Sequence, residues 1–95
     1  MRECVIHGSQ IADWDELHTK VANDLQFPEW FGYTLDALFD CLTELGESQI
    51  TIYRWERLAQ TLGERAGKLR KVLIEAGTEN PNLIVCLLEE DQDEI

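Results

Sequence analysis

The sequence predicts an α/β fold in which a small three-stranded parallel sheet is packed with about four helices. The stretch 83–88 is an unbroken apolar run, which is typical of a strand in a parallel sheet covered on both faces. Two shorter β-rich stretches, 4–6 and 50–53, predict the other two strands. The segments between the strands have helical periodicity, and helical crossovers keep successive strands parallel. The 95 residues suit a single domain of this kind.

The first helix is predicted after the strand at 4–6. Asp13 is its expected N-cap. Glu16, three residues later, completes a capping box because its side chain can reach back to the N–H of the cap. Pro28 follows the last periodic position and ends the segment. Four residues form the stripe that we expect to be buried: Trp14, Leu17, Val21 and Leu25.

Two more helices are predicted between the second strand and the third. A short helix covers about 56–62 and stops at Gly63, and a longer helix runs from about 64–78. Pro81 prevents the longer helix from continuing. Five of its residues are spaced to face inward: Ala66, Leu69, Val72, Leu73 and Ala76. The predicted order of elements is therefore β-α-α-β-α-α-β.

The stretch 28–45 contains most of the candidate functional residues. Its first half is a loop, broken at Pro28 and Gly32, and its second half is a short helix with Thr34 as N-cap and Gly46 as stop. The apolar stripe of this helix is Leu35, Leu38, Phe39 and Leu42. The loop carries three aromatic residues, Trp30, Phe31 and Tyr33. Aromatic side chains in a loop are favoured anchors of protein interfaces.

Two carboxylates in this helix have no obvious use in folding. Asp36 and Asp40 are four residues apart and share one face, and like charges at this spacing cost a helix roughly 0.2–0.5 kcal/mol. Asp36 lies in the first turn, where the helix dipole favours an anion. Asp40 lies too deep for that benefit, and no Lys or Arg occurs in 21–53 to neutralise it. We therefore expect a partner outside the chain to use Asp40.

The composition restricts the kind of partner. The chain has 19 acidic and 8 basic residues, a net charge of −11, which repels nucleic acid and anionic membranes and favours encounter with a basic protein. Three cysteines without a C-x-x-C motif argue against a disulfide framework and for a reducing compartment. No apolar run has the length of a signal-peptide core or a membrane span. We expect a cytoplasmic protein that is monomeric when free.

The acidity is unevenly distributed along the chain. The last residues, 89–95, hold five acids and no base and are expected to form a disordered tail after a domain at 1–88. Without the tail, 14 acids and 8 bases leave a net charge of −6, so the folded body is acidic too. Five of the eight bases fall in 57–71. This asymmetry predicts one acidic surface and a less acidic opposite side.

The stretch 28–43 resembles the binding segment of the barstar family, intracellular inhibitors of a secreted bacterial ribonuclease. It has the pattern P-E-aromatic-aromatic-G at 28–32 and L-D-A-L-aromatic-D-C-L-T at 35–43. The resemblance is compatible with the whole of 1–88. It implies a barstar-like fold, no enzymatic activity and no cofactor or metal. The partner that it implies is a basic extracellular-type ribonuclease, either barnase-like or a related toxin nuclease.

The resemblance also implies a mode of binding. The loop aromatics and the helix after Thr34 would plug the active-site cleft of the nuclease. Asp40 would stand where the phosphate of the substrate sits, and Asp36 would support it. The partner-binding residues implied in this way are Trp30, Phe31, Thr34, Asp36, Phe39, Asp40, Thr43, Glu44, Glu75 and Glu79.

The apolar anchors depart from the family pattern. The two loop aromatics are tyrosines in barstar. Thr34 replaces an asparagine and Phe39 a tryptophan, while Glu44 and Leu45 stand where barstar has glycine and tryptophan. The charged residues are kept, so the inhibitor role is implied while the identity of the nuclease stays open.

Two other functions remain open from the residues alone. A cluster of four carboxylates could hold Mg²⁺ or supply an acid/base pair, although no nucleophile or cofactor loop accompanies it: Asp36, Asp40, Glu75 and Glu79. The chain could also be a generic acidic interaction domain. Glu75 could instead form a local ion pair with Lys71 on the long helix.

Overall fold

The computed structural model describes residues 1–28, 32 and 34–90. Within them the elements follow the predicted order, and a 3-10 turn at Gly8–Gln10 follows the first strand. The strands and α-helices are β1 (Arg2–His7), α1 (Trp14–Leu25), α2 (Leu35–Thr43), β2 (Ser48–Tyr53), α3 (Trp55–Leu62), α4 (Arg65–Glu79) and β3 (Leu83–Leu87). The described residues thus form one three-stranded parallel sheet and four α-helices, which confirms the predicted α/β fold class.

The sheet has the order β1-β2-β3, with β2 in the centre. Strands β1 and β2 start two residues earlier than predicted, because Arg2 and Glu3 continue the ladder opposite Ser48 and Gln49. The prediction that β3 is covered on both faces is wrong. β3 is an edge strand, and Ile84 is 48% exposed. The apolar run therefore predicted more burial than β3 has, since one of its side chains is largely exposed to solvent.

The start of α1 is held by the predicted capping box, with one change of partner. The Asp13 side chain accepts a hydrogen bond from the Glu16 N–H at 2.8 Å. The Glu16 carboxylate reaches back to the N–H of Ala12, at 3.1 Å, instead of that of the cap residue. The helix ends at Gln26, whose backbone is left-handed (φ 58°). The two side chains of the predicted capping box therefore satisfy the Glu16 N–H, as in a standard box, and the Ala12 N–H, one residue before the cap.

The ends of α2 and α3 are set in different ways. Gly63, with φ 65°, ends α3 as predicted, because a residue without a Cβ adopts this conformation easily. The prediction that Gly46 stops α2 is wrong, since α2 already ends at Thr43. The Asn80 side chain donates to the carbonyl oxygens of Leu42 and Leu45, both at 2.9 Å. The end of α2 is therefore secured by a residue 38 positions away in sequence.

One hydrophobic core lies between the sheet and the helices. It contains the predicted stripes of α1, α2 and α4, although four of their residues are only partly buried at its margin: Trp14, Leu35, Phe39 and Val72. His18 is also buried within α1, at 1% exposure. Cys4 and Cys41 are buried as expected, Cys86 is half-buried, and all three thiols are free. Each helix among the described residues is too short or too polar to span a lipid bilayer.

Candidate protein-binding site

Helix α2 presents its carboxylates to solvent because its opposite face is fixed in the core. The Thr34 hydroxyl accepts from the Ala37 N–H at 3.1 Å, which confirms the predicted N-cap. The buried residues of the helix are Leu38, Cys41 and Leu42. Asp36 and Asp40 are exposed on the other side. A helix anchored at its cap and along its apolar face holds these two carboxylates in a defined orientation.

Helices α2 and α4 pack against each other and form an open groove of about 460 Å³. Leu35, Phe39 and Val72 are partly buried there, while three carboxylates in the lining are exposed: Asp36, Asp40 and Glu75. We call this surface the acidic groove. It combines apolar side chains with a row of anions on two helices. Such a surface suits a protein partner that brings cations together with apolar contacts.

Among the described residues, no cation forms an ion pair with the carboxylates of the acidic groove. In the described residues, the ion pair found within 4 Å is the one between Lys20 and Asp24 on α1, at 2.8 Å. The alternative that Glu75 pairs with Lys71 is therefore not realised. Because the charged groups are exposed, water solvates them and the free protein tolerates the repulsion. The groove is thus a concentration of negative charge that the fold itself does not neutralise.

The other candidate residues lie around the groove or away from it. The Thr43 hydroxyl donates to the backbone carbonyl of Asp40 at 3.0 Å, so it supports the last turn of α2. Glu44 is exposed on another side of α2, in a hollow of about 180 Å³ that Arg2 also lines. Glu79 is exposed at the end of α4 and does not line the groove. The predictions for Trp30 and Phe31 fall outside the described residues.

The chemistry available on and around α2 is limited by the state of its cysteine and by the arrangement of its carboxylates. Burial raises the pKa of the Cys41 thiol, and the nearby Glu44 and Asp40 charges raise it further. This cysteine is therefore a neutral packing residue and not an activated nucleophile. Over the described residues, no three His, Cys, Asp or Glu side chains are arranged so that they could hold a metal ion. The four carboxylates that the sequence suggested as one cluster do not converge in that way.

Three residues of the site were not identified from the sequence. Leu35 and Val72 line the groove, although their spacing predicted burial in the core. Both lie at the margin of an apolar stripe, and this position was the feature of the sequence that could have indicated partial exposure. Asn80 secures the end of α2, and nothing in the local sequence pointed to it. Its partners become visible only when α2 and α4 are seen side by side.

Two comparisons with known proteins agree with this architecture. Residues 1–89 match the family model described as Barstar (barnase inhibitor). A Bacillus subtilis (strain 168) protein named "Putative ribonuclease inhibitor YrdF" is 33% identical to this chain over 91 residues. That alignment covers 94% of this chain and 100% of the relative. The similarity therefore extends over the sheet, all four described helices and the acidic groove.

Proposed function

We propose that this chain, which belongs to the barstar family, is a stoichiometric protein inhibitor of a basic bacterial ribonuclease. The observation that carries the proposal is the acidic groove. Asp36 and Asp40 on α2 and Glu75 on α4 line one exposed surface and have no ion-pair partner among the described residues. A ribonuclease must place cationic side chains where the phosphates of RNA bind. A row of fixed carboxylates is complementary to such a cleft.

The proposed mechanism is occlusion of the active site. Helix α2 enters the cleft, and Asp40 occupies the position of the substrate phosphate, with Asp36 beside it. Glu75 approaches from α4 and extends the negative surface across the groove. Each carboxylate that becomes buried then meets a cation, so neither charge stays unpaired in the complex. The apolar part of the groove, which includes Phe39, adds contact area that excludes water.

The loop before α2 completes the proposed binding surface. Trp30 and Phe31 precede the N-cap Thr34 closely in sequence, so they belong to the chain that leads into the acidic helix. As large aromatic side chains they are suited to fill pockets beside the cleft. Their departure from the tyrosines of barstar changes the hydrogen bonds available there. We infer that the loop determines which nuclease is bound, while the carboxylates provide the general attraction to a cationic cleft.

A titration of ribonuclease activity tests the proposal. RNA cleavage by purified barnase is followed while increasing amounts of the chain are added. Inhibition predicts that the activity falls in proportion to added chain and reaches zero near one equivalent. Glu64→Ala serves as a matched control, because Glu64 is an exposed acid outside the acidic groove. It should inhibit as well as the unmodified chain. Undiminished cleavage at a large molar excess of the chain would contradict the proposal for barnase-type nucleases.

A further inference from the structure

The side chain of Asn80 is the direct polar link between the two helices of the acidic groove. It is 4% exposed, and its amide nitrogen donates to the carbonyl oxygens of Leu42 and Leu45, at 2.9 Å each. Its carbonyl oxygen accepts from the N–H of Asn82 at 3.0 Å. Both amide donors and the acceptor are thus used. No aliphatic or acidic side chain of similar size can make these three bonds.

Backbone hydrogen bonds around Asn80 also connect the end of α4 to the sheet. The Asn80 N–H donates to the Ala76 carbonyl at 2.9 Å, and the Leu83 N–H donates to the Asn80 carbonyl at 3.0 Å. The Ser48 N–H, at the start of β2, donates to the Asn82 carbonyl at 2.9 Å. The ends of α2 and α4 and the beginnings of β2 and β3 therefore meet here. A displacement of Asn80 would be transmitted to all four elements.

The position of this link matters for the carboxylates. Leu42 is two residues after Asp40. Its carbonyl lies in the last turn of α2, where backbone carbonyls lack a partner N–H within the helix. The Leu45 N–H approaches that carbonyl only at 3.4 Å, so the bond from Asn80 is the shorter one. On the other helix, Glu75 stands one turn and a half before Asn80. The link therefore joins the two carboxylate-bearing segments directly.

We infer that Asn80 is a positioning residue for partner binding, an inference that rests on the proposed function. Asn80 is buried and acts through Asp40 and Glu75, whose relative placement it fixes before the partner arrives. A surface that is already in its bound arrangement loses less freedom on association, and this improves affinity. If α2 were less firmly fixed, its carboxylates would sample several positions relative to Glu75. The affinity for a rigid cationic cleft would then fall.

A comparison of variants at matched stability separates positioning from a merely structural role. We expect Asn80→Ala to raise the Kd for barnase by about tenfold, mainly through faster dissociation, under conditions where the variant stays folded. Leu58→Ala is the control, because Leu58 is buried in α3 and does not line the groove. It should lower the melting temperature without changing Kd. Equal losses of affinity in both variants would overturn the inference. Asn80→Ser, which keeps one donor, replaces Asn80→Ala if that variant does not fold.

A double-mutant cycle identifies the residues through which Asn80 acts. If Asn80 fixes α4 relative to α2, Glu75→Ala should weaken binding less in the Asn80→Ala background than in the unmodified chain. We expect the two effects to differ by about fivefold, which is a typical coupling for residues that share one network. Strictly additive effects of the two substitutions would contradict a positioning role.

Amide hydrogen exchange of the free protein keeps this inference separate from the proposed function. If the unmodified chain does not bind barnase, the proposed function fails for barnase-type nucleases, while the effect of Asn80 on α2 is still measurable. We expect Asn80→Ala to accelerate exchange selectively in the last turn of α2 and at the end of α4. Even acceleration along the whole chain, as expected for a general loss of stability, would overturn the inference without reference to any partner.

Discussion

Helices α1 and α2 are built alike but use their acidic residues differently. Both are short, both are N-capped by a side-chain oxygen, and both bury an apolar stripe. In α1 the carboxylates serve the fold, since Asp13 and Glu16 form the capping box and Asp24 pairs with Lys20. In α2, Asp36 and Asp40 have no such partner among the described residues. A carboxylate that bonds to a group of its own helix therefore has a structural role, whereas a carboxylate without such a bond is available to a partner.

The comparison also shows why net charge alone is a poor guide to a binding surface. The Lys20–Asp24 bond raises the pKa of Lys20, so this acid and this base are matched locally. On α2, Asp36 is followed by Asp40 four residues later, and no base is among the described residues of α4 that line the acidic groove. The negative charge of the acidic groove therefore depends as much on the lack of a base in its described lining as on its three acids. Four predictions test this contrast between α1 and α2, in order of decreasing expected effect.

The largest effect is expected from Asp40→Ala on α2. Binding to the nuclease should weaken by about 2–5 kcal/mol, because the cation that Asp40 meets would stay buried and unpaired. This range is the general one for interfacial charge pairs, for which barnase–barstar is the standard example. The free energy of unfolding should stay within about 0.5 kcal/mol, since the side chain of Asp40 has no ion pair with the described residues and an (i, i+4) repulsion is relieved.

Asp24→Ala on α1 is the matched control for Asp40→Ala. It removes the partly buried Lys20–Asp24 pair, which should cost about 1 kcal/mol of stability and leave binding unchanged. Kd from titration calorimetry and urea melts of both variants provide the measurements. A stability loss above about 1.5 kcal/mol for Asp40→Ala would mean that Asp40 is a structural hydrogen-bond acceptor, and the contrast between α1 and α2 would fail.

The second prediction concerns His18 on α1. Burial lowers the pKa of His18 from 6.5 to about 4; Asp15 opposes this shift, and Arg65 adds to it. Above pH 6.5 the imidazole is neutral in both states and stability is unaffected. As the pH falls below 6.5, His18 binds a proton in the unfolded chain but stays neutral in the folded chain until the pH approaches 4. The free energy of unfolding should therefore fall, by up to about 3 kcal/mol when pH 4 is reached.

Urea melts between pH 5 and 7 test this pH dependence, since most carboxylates stay ionised in that interval. The unmodified chain should lose stability at a rate approaching about 1.4 kcal/mol per pH unit near pH 5. His18→Leu should remove most of this slope, because leucine does not titrate. A slope that persists in His18→Leu would assign the pH dependence to other groups.

The third prediction compares the first turns of α1 and α2. Asp13→Ala should cost about 1 kcal/mol of stability, because the Glu16 N–H loses its side-chain acceptor. Asp36→Ala should change stability by less than about 0.5 kcal/mol, since a lost dipole interaction is offset by relief of repulsion from Asp40. Thermal or urea melts of the two variants measure the difference. Equal costs would show that Asp36 is also held by the fold.

The smallest effect is expected from divalent cations. A metal bound to the native protein raises stability by RT ln(1 + [L]/Kd), so a functional Mg²⁺ site would raise the melting temperature. We expect equal melting temperatures in millimolar Mg²⁺, Ca²⁺ and EDTA at constant ionic strength. A clear rise with Mg²⁺ that Asp40→Ala abolishes would favour the carboxylate-cluster enzyme over the inhibitor.

Local sequence patterns specify the helices and strands of this protein and identify the helix that carries the exposed carboxylates. Periodicity located the four helices, and local signals gave the Asp13 and Thr34 caps and the stop at Gly63. The absence of bases in 21–53 indicated that Asp36 and Asp40 would lack local partners. These features depend on residues within a few positions of one another. A linear pattern therefore contains the information needed to predict them.

Packing between elements that are distant in sequence sets which of the predicted residues share a surface. The packing of α2 on α4 brought Glu75 into the acidic groove and left Glu79 and Glu44 outside its lining. It also placed Ile84 beside Gln49 on a face of the sheet where the isoleucine side chain stays 48% exposed, despite its apolar neighbours. The end of α2 depends on Asn80, and not on the nearby Gly46. Each outcome depends on contacts between residues far apart in sequence, and a local pattern does not specify which distant side chain will fill a given position.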